Sequence, residues 1–329
     1  MARLTFACGF YDRTEALRTG DVKVKDIDLD FIAVEQPRDL FDRMGGKQEF
    51  DASEFSSSEY ISRFARGDRT FVALPVFPSR VFRHGYIYVN RKAGIRSPKD
   101  IAGKRVGVPL YTMTAAVWIR GILADAHGVP VDSVTYVTGG LEEPGRPEKL
   151  ALDLPPNIRV RRIGPAETLS GMLATGEIDA LYTARTPSSF HAGDGRVRRL
   201  FEDFPAVERA YFRRTRIFPI MHTVVIRRDI YRSHRWIAQS LYKAFAAAQR
   251  EAYDDLAHTA ALKTMLPWLT AHVEDTRREM GADFWPYGVA PNADTLATFL
   301  RYSHEQGLSR RRLSPDELFA PETLESFRI

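Results

Sequence analysis

The sequence predicts an α/β fold made of two lobes joined by two crossing strands, and three observations carry that expectation. Short strand-like runs such as "RLTFACG" and "IDLDFIAV" are each followed by polar or proline-led segments that can turn into helices, the alternation of a parallel sheet with covering helices. A long β-rich stretch, "TFVALPVFPSRVFRHGYIYVN", is broken by Pro75 and Pro78, as suits a chain leaving one sheet to enter another. Much later, "IFPIMHTVVIRRD" has the β-branched composition of a second crossing strand.

Taken in order, "RLTFACG" and "IDLDFIAV" open the first lobe. After "FDASEFS", the run "SSEYISRFARG" should start a helix near Ser57: Ser56 and Glu59 fit a capping box, and Tyr60, Ile61, Phe64 and Ala65 form an apolar face. A hinge is expected near residues 80 to 88. "KRVGVP" then reads as a buried strand, and "TAAVWIRGILADAHG" as a helix that Gly128 ends. "SVTYVTGG", "IRVRRIG", "AETLSGMLATGE" and "IDALYTA" continue the alternation to about residue 210. "HRWIAQSLYKAFAAAQREAYDDL" is a long amphipathic helix back on the first lobe, and the remaining C-terminal segment should be helical and join it. The lobes are therefore expected at 1–83 with 216–329, and at 84–215.

Composition excludes several classes. No apolar run approaches the roughly 20 residues of a membrane span, and no membrane partner is expected. The formal charge of +5 arises from separated arginine clusters interleaved with acids, without zinc-finger spacing, an RNP-like strand or a basic helix, so nucleic acid is not expected as a partner. Such a surface does favour anionic small molecules. The eight histidines show no metal-ligand spacing and no dinucleotide or P-loop motif occurs, so neither a metal nor a cofactor is expected. The single Cys8 cannot form an intrachain disulfide, and Met1 leads directly into a strand without an apolar leader, so the expected compartment is the cytoplasm.

"DIAGKRVGVP" and "MLATGEIDAL" resemble phrases of the type II periplasmic-binding-protein superfamily, in which two α/β lobes enclose a cleft. "FACGFYDRT", "DASEFSSSEYI", "FPSRVFRHGYIYVN", "YTMTAAVWIRGIL", "GGLEEPGRPEKL", "ARTPSSF" and "IFPIMHTVVIRRD" resemble more specifically the 4,5-dihydroxyphthalate decarboxylase family, over about the first 230 residues. The resemblance implies a cytoplasmic carboxy-lyase that removes CO₂ without oxidation from an aromatic dicarboxylate. A binding protein feeding a transporter and a different reaction on the same scaffold are the alternatives, and assembly into a homo-oligomer is left open.

Ligands of open α/β sheets bind beyond the carboxyl ends of the strands, which selects a short list of polar side chains. The first lobe supplies Tyr11, Asp12 and Arg13 after its first strand and Ser56, Ser57 and Ser58 after its third. In the second lobe, Tyr111, Thr112 and Thr114 precede a helix, where free N–H groups and hydroxyls could hold a carboxylate. Arg185, following a buried strand, is the expected substrate anchor, with Arg146 as a second and Glu143 in the same loop. His222 on the returning strand is expected to move the proton, assisted by Asp12.

Overall fold

A computed structural model describes residues 2–324, which divide into two compact units: 2–80 with 220–296 and 314–324, and 81–219 with 297–313. In chain order the strands are β1 (Ala2–Cys8), β2 (Ile27–Ala33), β3 (Ala52–Ser56), β4 (Phe71–Leu74), β5 (Ile87–Asn90), β6 (Arg105–Val108), β7 (Thr135–Thr138), β8 (Arg159–Arg162), β9 (Ala180–Tyr182), β10 (Val197–Arg199) and β11 (His222–Arg227). Among the described residues no helix is long and apolar enough to cross a membrane.

The first unit is built on a five-stranded sheet of order β2-β1-β3-β11-β4. β1 runs parallel to β2 and β3, whereas β11 is antiparallel to both β3 and β4. The carboxyl ends of β1 and β3 therefore meet the amino end of β11 at one edge. Register makes the meeting specific, because Val224 pairs with Glu54 and His222 with Ser56. Side chains two apart on a strand share a face, so His222 is the diagonal neighbour of Glu54. Phe6 anchors the core below, edge-on to Phe31 at 5.4 Å and to Phe245 at 5.1 Å. The helix Ser57–Ala65 starts where the capping pattern places it, with the Ser56 hydroxyl accepting the Glu59 N–H.

The second unit holds a six-stranded sheet of order β10-β5-β9-β6-β7-β8, antiparallel where β5 meets β9 and β10 and parallel elsewhere. Its helix Thr114–His127 ends on Gly128 at φ 65°, a left-handed conformation that glycine adopts without steric cost. Trp118 of that helix stacks on Phe299 at 5.0 Å and meets Tyr302 edge-on at 5.7 Å. Tyr302 comes so close at Gly121 that a Cβ there would overlap its ring, so the position admits no side chain. These aromatic contacts explain why 297–313 groups with the second unit, whereas the sequence reading kept 216–329 together on the first. Nothing in the local periodicity of the helix Ala293–Glu305 says which apolar surface it will cover.

Candidate active site

At the strand edge of the first unit, Glu54 is fully buried and accepts four hydrogen bonds. Its Oε1 faces His222 Nδ1 at 2.5 Å and the Tyr11 hydroxyl at 2.8 Å. Its Oε2 accepts the Gly9 N–H at 3.0 Å and the Cys8 thiol at 3.5 Å. Burial by itself would push the Glu54 carboxyl up, but the hydrogen bond and charge of His222, with the Gly9 and Tyr11 donors, hold it below the ordinary carboxylate value. Burial, then the charge of Glu54, push the Tyr11 phenol and the Cys8 thiol up, so both stay protonated and donate. A thiol held in that form is a poor nucleophile.

His222 is 16% exposed at its side chain, and Phe41 meets its ring edge-on at 4.9 Å. With Nδ1 directed at a carboxylate, the neutral ring carries its proton there and its lone pair on Nε2; the charged ring donates from Nε2. The arrangement can therefore take up or deliver a proton at one defined nitrogen. The Arg13 guanidinium lies over the rings of Tyr11 (4.2 Å) and Trp285 (4.4 Å) and donates from Nε to the Pro78 carbonyl at 2.6 Å. A cation pinned by two rings and a carbonyl is oriented before a substrate arrives.

Asp12, expected to assist His222, makes no hydrogen bond to it among the described residues. Its carboxylate is 59% exposed and accepts from the Arg13 N–H at 2.7 Å and from Arg13 NH1 at 3.0 Å. Asp12 opens the helix Asp12–Thr19, and the carboxylate that meets His222 is Glu54, which the sequence reading missed. The available signal was an acid in the middle of the otherwise apolar and small-residue strand "ASEFS". Ser56 caps its helix, while Ser57 and Ser58 are buried in the first turn.

In the second unit the helix start at Tyr111 and Thr112 does hold a carboxylate, and it belongs to the chain itself. Glu148 accepts the Tyr111 N–H, and its other oxygen accepts the Thr112 hydroxyl at 3.0 Å. Burial pushes the Glu148 carboxyl up, partly offset by these donors. The Tyr111 hydroxyl donates to the Gln306 carbonyl at 3.0 Å, and the Arg120 guanidinium lies 4.0 Å over its ring, so this side chain is packed in the core of the second unit. Thr114 is buried one residue after the helix N-cap, Met113. Glu143 is exposed and Arg146 half-buried in their loop, whereas Glu142 accepts from the N–H (2.9 Å) and hydroxyl (2.5 Å) of Ser188. Arg185 is exposed beyond β9, its N–H donating to the Thr183 hydroxyl at 3.1 Å. Among the described residues no three His, Cys, Asp or Glu side chains are grouped so as to hold a metal ion.

No family model matches the sequence. Two curated proteins are similar to it, both described as 4,5-dihydroxyphthalate decarboxylase. That of Comamonas testosteroni is 41% identical over 327 residues, spanning 99% of each chain. That of Pseudomonas putida is 43% identical over 200 residues, 61% of this chain and 77% of its own. Among solved structures, the periplasmic aliphatic sulphonate binding protein SsuA of Escherichia coli superposes with a TM-score of 0.54 at 13% identity, covering 98% of this chain and 99% of its own. A mutant of the enzyme DSZB in complex with biphenyl-2-sulfinic acid gives 0.52 at 17% identity, covering 98% and 97%. These likenesses show the fold, the type II periplasmic-binding-protein architecture of two α/β lobes with mixed sheets. The fold is common to receptors and enzymes, but the identity with the Comamonas protein runs through the whole chain: this protein belongs to the 4,5-dihydroxyphthalate decarboxylase family.

Proposed function

We propose that the protein removes one carboxylate, without oxidation, from a dihydroxylated aromatic dicarboxylate such as 4,5-dihydroxyphthalate, leaving a dihydroxybenzoate such as protocatechuate. The observation that carries the residue roles is the hydrogen bond from His222 Nδ1 to the buried carboxylate of Glu54. Direct loss of CO₂ would leave an electron pair in the ring plane, where the π system cannot stabilise it. Donation from an ionised phenol instead raises electron density at the carbon bearing the carboxylate. His222, charged, delivers a proton from Nε2 to that carbon; the bond to the carboxylate then breaks, its electron pair restores the aromatic ring, and CO₂ leaves. Glu54 remains an anion throughout and stabilises the imidazolium, as an oriented carboxylate does for a catalytic histidine. Arg13, held over the rings of Tyr11 and Trp285, supplies positive charge to an anionic group of the substrate.

A cytoplasmic location belongs to the same proposal. Full-length relatedness to a decarboxylase supports it, and not the fold, which periplasmic receptors share. The test is to incubate the purified protein with a panel of hydroxylated benzene dicarboxylates and measure CO₂ and the aromatic product. Release of one equivalent of CO₂ per dihydroxybenzoate is the expected result. Binding of a diacid without CO₂ release would make the protein a receptor and sink the reading.

A further inference from the structure

We infer that Tyr287 belongs to the substrate site and donates its hydroxyl to an anionic oxygen of the bound aromatic acid. The inference rests on the decarboxylase reading above and adds a residue to it. The side chain of Tyr287 is 7% exposed, and its hydroxyl, fully buried, makes no hydrogen bond among the described residues. Four other buried tyrosines find acceptors, Tyr60 on the Leu318 carbonyl, Tyr111 on Gln306, Tyr136 on Val131 and Tyr302 on Asp125, and the one other tyrosine hydroxyl buried and unmet among the described residues, that of Tyr211, belongs to the second unit. Leaving a buried hydroxyl unmet costs stability, so its retention points to a partner that arrives with the ligand.

The backbone around Tyr287 is held from several directions. Trp285 Nε1 donates to the Phe77 carbonyl at 2.9 Å, and the Gly288 N–H to the Pro75 carbonyl at 2.7 Å. Asn292 donates to the carbonyls of Pro286 (2.9 Å) and Gly288 (2.8 Å), and itself accepts from Arg80 at 2.9 Å. A segment clamped this way positions its side chains without ligand-induced folding.

What surrounds the hydroxyl defines its ligand. Burial pushes the Tyr287 phenol up so that it stays a donor, and the cation that bears on it is Arg13. Trp285, two residues before Tyr287, lies under the same Arg13 guanidinium as Tyr11, whose hydroxyl donates to Glu54, the partner of His222. A neutral O–H beside a fixed cation suits an anionic oxygen, and carboxylate and phenolate oxygens share that chemistry.

The test compares Tyr287→Phe with wild type in three measurements: the Tm of the free protein, CO₂ release, and calorimetric affinity for phthalate (carboxylates only) and for 4-nitrocatechol (phenolic oxygens only). The expected result is an unchanged or higher Tm with about tenfold or greater loss of affinity for at least one probe. Loss with phthalate assigns the contact to a carboxylate, and loss with nitrocatechol to a phenolate. Affinities equal to wild type for both probes, in a preparation whose wild type releases CO₂, overturn the inference and leave the decarboxylase reading standing. A marked drop in the Tm of the free variant overturns it too, because the hydroxyl would then have a structural partner. A wild type that binds the probes but releases no CO₂ from any diacid overturns the underlying reading instead.

Discussion

Replacing Glu54 by Gln exchanges one buried oxygen for an NH₂ and tests whether this carboxylate directs the His222 proton. The four donors around Glu54 divide between its oxygens, His222 Nδ1 (2.5 Å) and the Tyr11 hydroxyl (2.8 Å) on one, the Gly9 N–H (3.0 Å) and the Cys8 thiol (3.5 Å) on the other. The amide oxygen can satisfy one pair only. Facing Gly9, it presents its NH₂ to His222 and drives the ring to the tautomer with its proton on Nε2. Facing His222, it leaves the buried Gly9 N–H against a second donor, at a cost of about 1–3 kcal/mol. Either way one partner of a buried pair is lost, and the variant should be destabilised by about 3–5 kcal/mol, the range for breaking such a pair. Because a positioned acid or base is worth about 10²–10⁴ in rate, kcat should fall at least about a hundredfold. KM should barely change, since Glu54 acts through His222. The assay is CO₂ release under saturating substrate, alongside urea unfolding across pH. The native pKa of Glu54 lies below its ordinary value of 4.5, so its stabilisation is complete above that value and is lost as pH falls through the native one. The stability gap between wild type and variant should therefore be steady near neutrality and close in acid. A folded variant with kcat within about threefold of wild type would refute the reasoning.

The remaining expectations concern three other residues. His222→Asn should abolish most CO₂ release while substrate binding, measured by calorimetry, persists; unchanged turnover would remove its catalytic role. Arg185→Lys should raise KM more than it lowers kcat if Arg185 is the substrate anchor that the sequence leads one to expect, and an unchanged KM would count against that role. Glu208, which accepts the Gly85 N–H at 3.2 Å, is pushed up to about 7 by burial. A raised carboxyl pKa means stability that is present below the ordinary value and lost as pH rises through about 7, so Glu208→Gln should flatten the wild-type decline in urea midpoint between about pH 5 and 8.

The sequence by itself determined the local grammar of this protein. The α/β alternation, the start of a helix at Ser57 under its Ser56 cap, the stop at Gly128 and the candidacy of His222 and Arg13 rest on residue types and spacings within a few positions, where backbone hydrogen bonds and φ preferences act. What only the tertiary structure decided is which of these residues meet. His222 and Glu54 are 168 positions apart, and an antiparallel register between β3 and β11, set by the packing of a whole sheet, makes them neighbours. The same long-range packing brings Glu148 onto the helix start that was expected to receive the substrate, and sets Glu54 against His222 in the place expected for Asp12. Periodicity marks which face of an element is apolar, but the partner of that face depends on strand order and register, which no local spacing encodes.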